Sequence, residues 1–122
     1  MTNNKVQPVS INLHKKTRLL SISFNDGKSF DFSCEYLRVH SPSAEVMGHG
    51  PGQEVLQTGK ENVTIDDVEP VGHYAIKLHF NDGHNTGLYT WDYLYNLGVN
   101  HDRYWRQYLE ALDKAGIKRD IQ

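Results

Sequence analysis

The sequence predicts an α+β domain with a largely antiparallel sheet of hairpins, short helices after the hairpins and a long C-terminal helix. Apolar and polar residues alternate with the two-residue period of a half-buried strand in segments 9–13, 20–24 and 74–80. Asn-Asp-Gly directly follows the second and third of these segments, and Asp-Gly favours a tight hairpin turn. From 104 to 115, apolar residues recur at three- and four-residue spacings, which is the pattern of an amphipathic helix.

The first hairpin leads into a predicted short helix. Phe30 and Phe32 continue the alternation after the turn, as the returning strand. Ser33 suits the N-cap of a helix, because its hydroxyl accepts a hydrogen bond from the first helical turn. We expect Tyr36 and Leu37 on the buried side of this helix.

A long loop is predicted between the two halves of the chain. Residues 41–59 follow neither the strand period nor the helix period and are rich in Gly and Pro. We therefore expect this loop to be the most mobile ordered segment. The glycine-rich tip, 48–52, is expected to be exposed. Val63 and Ile65 then restart a strand.

The second half echoes the first. Segments 20–27 and 76–83 both end in Phe-Asn-Asp-Gly, and a Tyr-Leu pair follows each of them. The echo predicts either two similar hairpin-plus-helix units or two convergent hairpins. Thr90 is expected to cap a helix that Gly98 ends in the left-handed conformation, and Gly116 to end the last helix.

Length and composition indicate one domain. In a chain of 122 residues we expect a flexible N-terminus at 1–8, a single domain at 9–116 and a tail at 117–122. The net charge of −2 provides no basic field, so no nucleic-acid partner is predicted. Cys34 is the only cysteine, which excludes an intrachain disulfide and suits a reducing cytoplasm. We find no signal or membrane-spanning pattern, and expect a cytoplasmic location without a membrane partner.

Seven histidines raise the question of a metal site, but their spacing does not support one. HExxH, HxD and HxxH are absent. Four histidines on a strand or near element ends are expected to be structural: His14, His73, His79 and His101. No metal is expected; the remaining candidate ligands are the loop residues His40, His49 and His84. A serine nucleophile elbow and a phosphate-binding loop are also absent, so the sequence predicts no catalytic centre.

Four stretches carry a family resemblance. They are Tyr-Leu-Arg at 36–38, Ser-Pro-Ser-Ala-Glu-Val at 41–46, Gly-His-Gly at 48–50, and Asp-Gly-His at 82–84 followed by Gly-Leu-Tyr-Thr-Trp-Asp-Tyr-Leu at 87–94. The chain resembles the gamma-butyrobetaine hydroxylase-like N-terminal domain family, a domain of unknown function, in its short bacterial stand-alone form. The resemblance runs from about Val9 to near Ala115.

The resemblance raises the question of a structural zinc. In the eukaryotic hydroxylases of the carnitine pathway, this domain holds such a zinc through three cysteines and one histidine. The matching positions here are Ser41, Ser43, Val46 and His84, so three of the four ligands are replaced. We therefore expect no cofactor, a degenerate zinc site and folding that does not depend on zinc. His84 is then expected to act as a turn or hydrogen-bonding residue. The alternative is a site rebuilt near His84 from His40, Glu45 and His49.

The resemblance also bears on function. The hydroxylases carry a separate oxygenase domain, and its iron-binding His-x-Asp is absent here. Relatives of the domain are attached to iron–sulfur carrier ATPases, which implies a role near iron–sulfur assembly. We therefore expect a non-catalytic accessory or adaptor domain with a protein partner, linked to iron–sulfur or metal-dependent proteins. The alternative is a small metal-binding protein or metal-dependent enzyme that uses His49 and His84.

A partner surface is predicted where segments 36–46 and 84–94 lie side by side, a proximity that the zinc link implied by the family resemblance requires. Its expected residues are Arg38, His40, Glu45, His49, His84 and Trp91. Arg38 is expected to pair with a carboxylate, either Glu45 or one from the partner. The alternative is a structural seam in which Trp91 is buried. Seven aromatic residues lie between Tyr89 and Tyr108. We expect them either to pack in the core alone, or to form both core and an exposed protein-binding patch.

Overall fold

The computed structural model describes residues 5–48 and 52–120, which form six strands and four helices. The first part of the chain contains β1 (Pro8–His14), β2 (Leu19–Phe24), β3 (Ser29–Ser33), α1 (Cys34–Val39) and α2 (Ala44–Met47). The second part contains β4 (Ile65–Val71), β5 (Ala75–Phe80), β6 (Leu88–Thr90), α3 (Trp91–Val99) and α4 (His101–Lys114). The predicted α+β class is confirmed, with the antiparallel strands divided between two sheets.

The two halves are similar units. Their strand orders are β1-β2-β3 and β4-β5-β6, and all neighbouring strands are antiparallel. Gly27 and Gly83 have φ angles of 89° and 87°, in the left-handed region that glycine tolerates. In each turn the glycine N–H donates to the carbonyl of the preceding phenylalanine, at 3.0 and 3.1 Å. Since each third strand leads into a helix, the prediction of two hairpin-plus-helix units is confirmed.

Both units pack into one core, and two tyrosines connect them. Tyr36 on α1 and Tyr89 on β6 have no exposed area. Their hydroxyls donate to the carbonyls of Leu97 and Leu37, each at 2.6 Å. Burial raises the pKa of both phenols, so they remain protonated donors. The first helix is thereby fixed to the second unit.

The end of α3 differs from the prediction. Gly98 lies inside the helix, which continues to Val99 with Asn100 as its C-cap. The expected left-handed stop at Gly98 was wrong, because packing and not backbone conformation requires this glycine. A Cβ at this position would collide with the ring of Phe30, so its absence lets α3 approach β3. Gly116, with φ of 71°, follows α4 and ends it as predicted.

The C-terminal helix and the segment after it pack against α1. Tyr108 and Leu112 are the buried centre of the predicted apolar face, whereas Leu109 is 37% exposed. Beyond α4, Arg119 donates two hydrogen bonds to the buried carboxylate of Glu35, at 2.9 and 2.5 Å. Among the described helices, none combines the length and apolar character that crossing a membrane requires.

The predicted loop 41–59 begins as a buried, structured segment. Ser41, Ser43 and Val46 are buried, and Ser43 caps α2 by accepting a hydrogen bond from the N–H of Glu45. The expectation of irregular structure throughout was therefore wrong at 44–47, because a serine cap supports one helical turn there. The mobility of the loop stays a prediction, and residues 49–51 of its tip lie outside the described residues.

Candidate functional site

A group of polar side chains lies where the two units meet, between the end of α1, α2 and the segment after the second Asn-Asp-Gly turn. We call it the polar cluster; its members are Arg38, Ser41, Ser43, Glu45, Asp82 and His84. Four members are buried: Arg38, Ser41, Ser43 and His84. Since a buried polar group is costly without a hydrogen bond, the partners of each side chain define the role of the cluster.

His84 uses both ring nitrogens within the protein. Nδ1 lies 3.1 Å from Oε2 of Glu45, and because a carboxylate only accepts, Nδ1 carries the proton. Nε2 then accepts from the hydroxyl of Ser41 at 2.8 Å. Burial lowers the pKa of His84, and the charge of Arg38 lowers it further, although Glu45 acts in the opposite direction. The prediction that His84 is a hydrogen-bonding residue is confirmed.

Contacts of Ser41 and Ser43 hold segments 36–46 and 84–94 side by side. The hydroxyls of Ser43 and Thr86 are 2.6 Å apart, and the N–H of Ser43 donates to Oγ of Ser41 at 3.2 Å. Gly87 completes the approach, since a Cβ there would collide with that oxygen. The predicted proximity of segments 36–46 and 84–94 is therefore confirmed.

Arg38 pairs with a different carboxylate from the one expected. Its Nε donates to Oδ2 of Asp82 at 2.8 Å, and its Nη1 donates to Oε1 of Gln57 at 2.9 Å. Lys60 reaches the same oxygen of Asp82 at 2.7 Å. Burial raises the pKa of Asp82, but hydrogen bonds from Lys60, the His84 N–H and Arg38 outweigh it and lower the pKa to about 2. The pairing with Glu45 was wrong, because Glu45 contacts His84 instead.

The residues at the family's zinc positions do not fit a zinc ion. Ser41 and His84 bind each other, Ser43 binds Thr86, and Val46 offers no donor atom. Across residues 5–48 and 52–120, no three or more His, Cys, Asp or Glu side chains are grouped closely enough to hold a metal ion. Folding without zinc stays a prediction.

A groove of about 620 Å³ opens beside the polar cluster, between α1, α2, α3, α4 and segment 54–57. Its apolar lining is Val39, Val46, Met47, Val55, Leu56, Leu97 and Ala111, and its remaining lining is His40, Glu54, Gln57, Tyr93, Asn96, Tyr104, Gln107 and Tyr108. Met47, Val55 and Leu56 are 42%, 53% and 38% exposed. The volume lies within the range of ligand-binding pockets, about 300–1,000 Å³.

The polar cluster positions one wall of this groove. Arg38 holds the side chain of Gln57, and the hydroxyl of Tyr108 donates to the carbonyl of Gln57 at 2.9 Å. The N–H of Val55 donates to the carbonyl of Val46 at 2.8 Å, which ties segment 54–57 to α2. These bonds fix segment 54–57 in place, and the apolar side chains of Val55 and Leu56 remain partly exposed along it.

The structure describes five of the six predicted partner residues, and their surroundings differ. Arg38, Glu45 and His84 belong to the polar cluster, and the first and last of them are buried. His40 lines the groove. Trp91 is half-buried elsewhere, with its indole N–H donating to the carbonyl of His73 at 2.8 Å. His49 lies outside the described residues. The shared surface and a role in partner binding stay predictions for these residues.

The sequence did contain one signal for the groove. Val55 and Leu56 are an apolar pair in a polar, glycine-rich loop, where neither strand nor helix periodicity requires burial. Such a pair points to an exposed contact. The other walls come from the four helices, and sequence periodicity does not reveal how those helices meet.

Comparisons with known proteins agree with this architecture. The family described as gamma-butyrobetaine hydroxylase-like, N-terminal, matches residues 11–95. No curated protein matches the chain. One protein solved by NMR is 51% identical, with 95% of this chain and 91% of that one covered and a TM-score of 0.81. A second NMR structure is 48% identical, with 99% and 92% covered and a TM-score of 0.82.

A crystal structure from Acidithiobacillus ferrooxidans is also similar. It is a protein of unknown function of the DUF971 family, 41% identical, with 75% of this chain and 92% of that one covered and a TM-score of 0.64. The family match extends over more than half of the chain and includes both units. The chain therefore belongs to the gamma-butyrobetaine hydroxylase-like N-terminal domain family.

Proposed function

We propose that the chain is a non-catalytic adaptor domain that binds a partner protein through the groove. The observation that carries the proposal is the exposure of Met47, Val55 and Leu56 along one wall of an apolar depression. Burying the exposed part of each side chain contributes about 1–2 kcal/mol. Apolar side chains gathered at the edge of a groove are typical of a binding site.

The hydrogen bonds of the polar cluster support a non-catalytic role. Both nitrogens of His84 are engaged, and Asp82 is held between Arg38 and Lys60. A general acid or base must reach a substrate atom, and these groups are already paired with one another. We assign the polar cluster the task of positioning α2 and segment 54–57.

The geometry gives no support to the metal-dependent alternative. His84 would have to give up its bonds to Ser41 and Glu45 before it bound an ion, and its expected companion His49 lies outside the described residues. The link to iron–sulfur or metal-dependent partners, implied by the family resemblance, stays a prediction. Measuring the metal content of a captured partner tests this link.

Capture with two matched pairs of variants tests the proposal. Val55 and Val99 are 53% and 54% exposed, and Leu56 and Leu109 are 38% and 37% exposed, but only the first member of each pair lines the groove. Val55→Asp and Leu56→Asp are expected to weaken capture of the partner at least tenfold. Val99→Asp and Leu109→Asp should capture as the unmodified chain does.

Thermal unfolding of all four variants is the control for folding. The proposal fails if the groove variants, with melting temperatures close to those of their controls, capture the partner as well as their controls do. It also fails if each control weakens capture as much as its groove counterpart.

A further inference from the structure

The hydrogen-bonding state of His40 is set by its own helix. Nδ1 lies 2.9 Å from the carbonyl oxygen of Tyr36, and because a carbonyl only accepts, Nδ1 carries the proton. Nε2 is then an acceptor, and no residue in the described part of the chain binds it. This atom is not enclosed, since the described residues contain no buried side-chain nitrogen or oxygen that lacks a partner.

The surroundings of this acceptor are aromatic. The His40 ring centre lies 4.5 Å from that of Tyr36, 6.0 Å from that of Tyr104 and 6.4 Å from that of Tyr108. His40 lines the groove and its Nδ1 edge faces α1, so Nε2 is the ring nitrogen available to an occupant. An occupant that placed only carbon atoms against Nε2 would exclude water from this acceptor without replacing the hydrogen bond. It would bind at least about tenfold more weakly than an occupant with a donor at this position.

We propose that the groove receives an aromatic side chain of the partner protein, tryptophan or tyrosine, whose N–H or O–H donates to Nε2 of His40. The inference rests on the proposed function, because it specifies the partner's anchor in the same groove. An aromatic ring fills apolar volume and packs against tyrosine rings, and its single N–H or O–H donor suits Nε2 of His40. Tryptophan and tyrosine are also enriched among the side chains that dominate binding at protein interfaces.

A cationic side chain fits this position less well. An ammonium or guanidinium group needs several acceptors, and among the described residues that line the groove Glu54 is the only carboxylate. Burial lowers the pKa of His40, the hydrogen bond to Tyr36 raises it, and the electrostatic interaction with His101 lowers it. The ring is therefore a neutral acceptor at pH 7. The other titratable groups that face it are Tyr36 on α1, Tyr93 on α3, and His101, Tyr104 and Tyr108 on α4.

Two pairs of small probes separate the donor from the ring. We would titrate the isotope-labelled chain by NMR with 3-methylindole and 1,3-dimethylindole, and with 4-methylphenol and 4-methylanisole. The donor-bearing member of each pair is expected to bind about tenfold more tightly and to shift the Nε2 resonance of His40. His40→Phe keeps a ring and removes the acceptor, so each ratio should fall to about one while the methylated probes keep their affinity.

Each outcome decides the inference. Equal affinity within both pairs, or ratios that persist in His40→Phe, would overturn it. If that variant does not fold, the Nε2 resonance of the unmodified chain decides, because it must respond more to the donor-bearing probes. If none of the probes perturbs the NMR resonances of residues that line the groove, the inference is also overturned. The adaptor function is then still tested separately, by how well Val55→Asp and Leu56→Asp capture the partner.

Discussion

The hydroxyl of Ser41 makes the sharpest test of the polar cluster, because it holds two buried groups at once. The side chain is fully buried; Oγ donates to Nε2 of His84 at 2.8 Å and accepts from the N–H of Ser43 at 3.2 Å. Ser41→Ala leaves an acceptor and a donor without partners. Each unsatisfied buried group costs about 1–3 kcal/mol, and the second bond is long, so we expect a loss of about 2–4 kcal/mol.

Urea unfolding followed by circular dichroism measures this loss. The midpoint should fall while the slope stays unchanged, because a change in slope would mean a different change in exposed surface on unfolding. Ser10→Ala is the control, since Ser10 is exposed on β1, and it should stay within about 0.5 kcal/mol. A loss for Ser41→Ala that is no larger than for Ser10→Ala would refute the assigned role of these hydrogen bonds.

Three further predictions concern stability. Excess chelator should leave the melting temperature within about 5 °C, roughly 1 kcal/mol, in a thermal scan; a larger fall would show a structural metal. The free energy of unfolding should decrease as pH falls below about 6.5, because burial lowers the folded-state pKa of His40 and His84 and the unfolded chain takes up protons first. Urea titrations from about pH 8 to pH 5 measure this, and a flat profile would contradict it. Arg119→Ala should cost about 2 kcal/mol, since it leaves the buried carboxylate of Glu35 unpaired, whereas Lys118→Ala should cost less than about 0.5 kcal/mol; equal losses would contradict the pairing.

Local sequence predicted much of the fold. The Asn-Asp-Gly turns need only glycine's tolerance of positive φ, so Gly27 and Gly83 identify both hairpins without knowledge of distant contacts. Ser33 and Thr90 likewise cap α1 and α3 through hydrogen bonds within three residues along the chain. His84 was placed correctly as a hydrogen-bonding residue.

Long-range contacts account for what the sequence did not reveal. Arg38 pairs with Asp82, 44 residues away along the chain, because the fold brings the second hairpin turn next to the end of α1. Gly98 looked like a helix stop, yet its role is steric and depends on the distant ring of Phe30. The groove exists only after α1, α2, α3, α4 and segment 54–57 come together, so its apolar pair was visible in the sequence but its shape was not.

Hydrogen exchange on the chain with and without its captured partner tests the central claim most directly. Binding in the groove should slow exchange of the amides in segment 54–57 and next to Tyr104 and Tyr108, because these line the groove. Trp91 and the adjoining β4–β5 turn at 72–74 should remain unchanged, since they lie outside it. Protection confined to that second region, with segment 54–57 exchanging as in the free chain, would contradict the account.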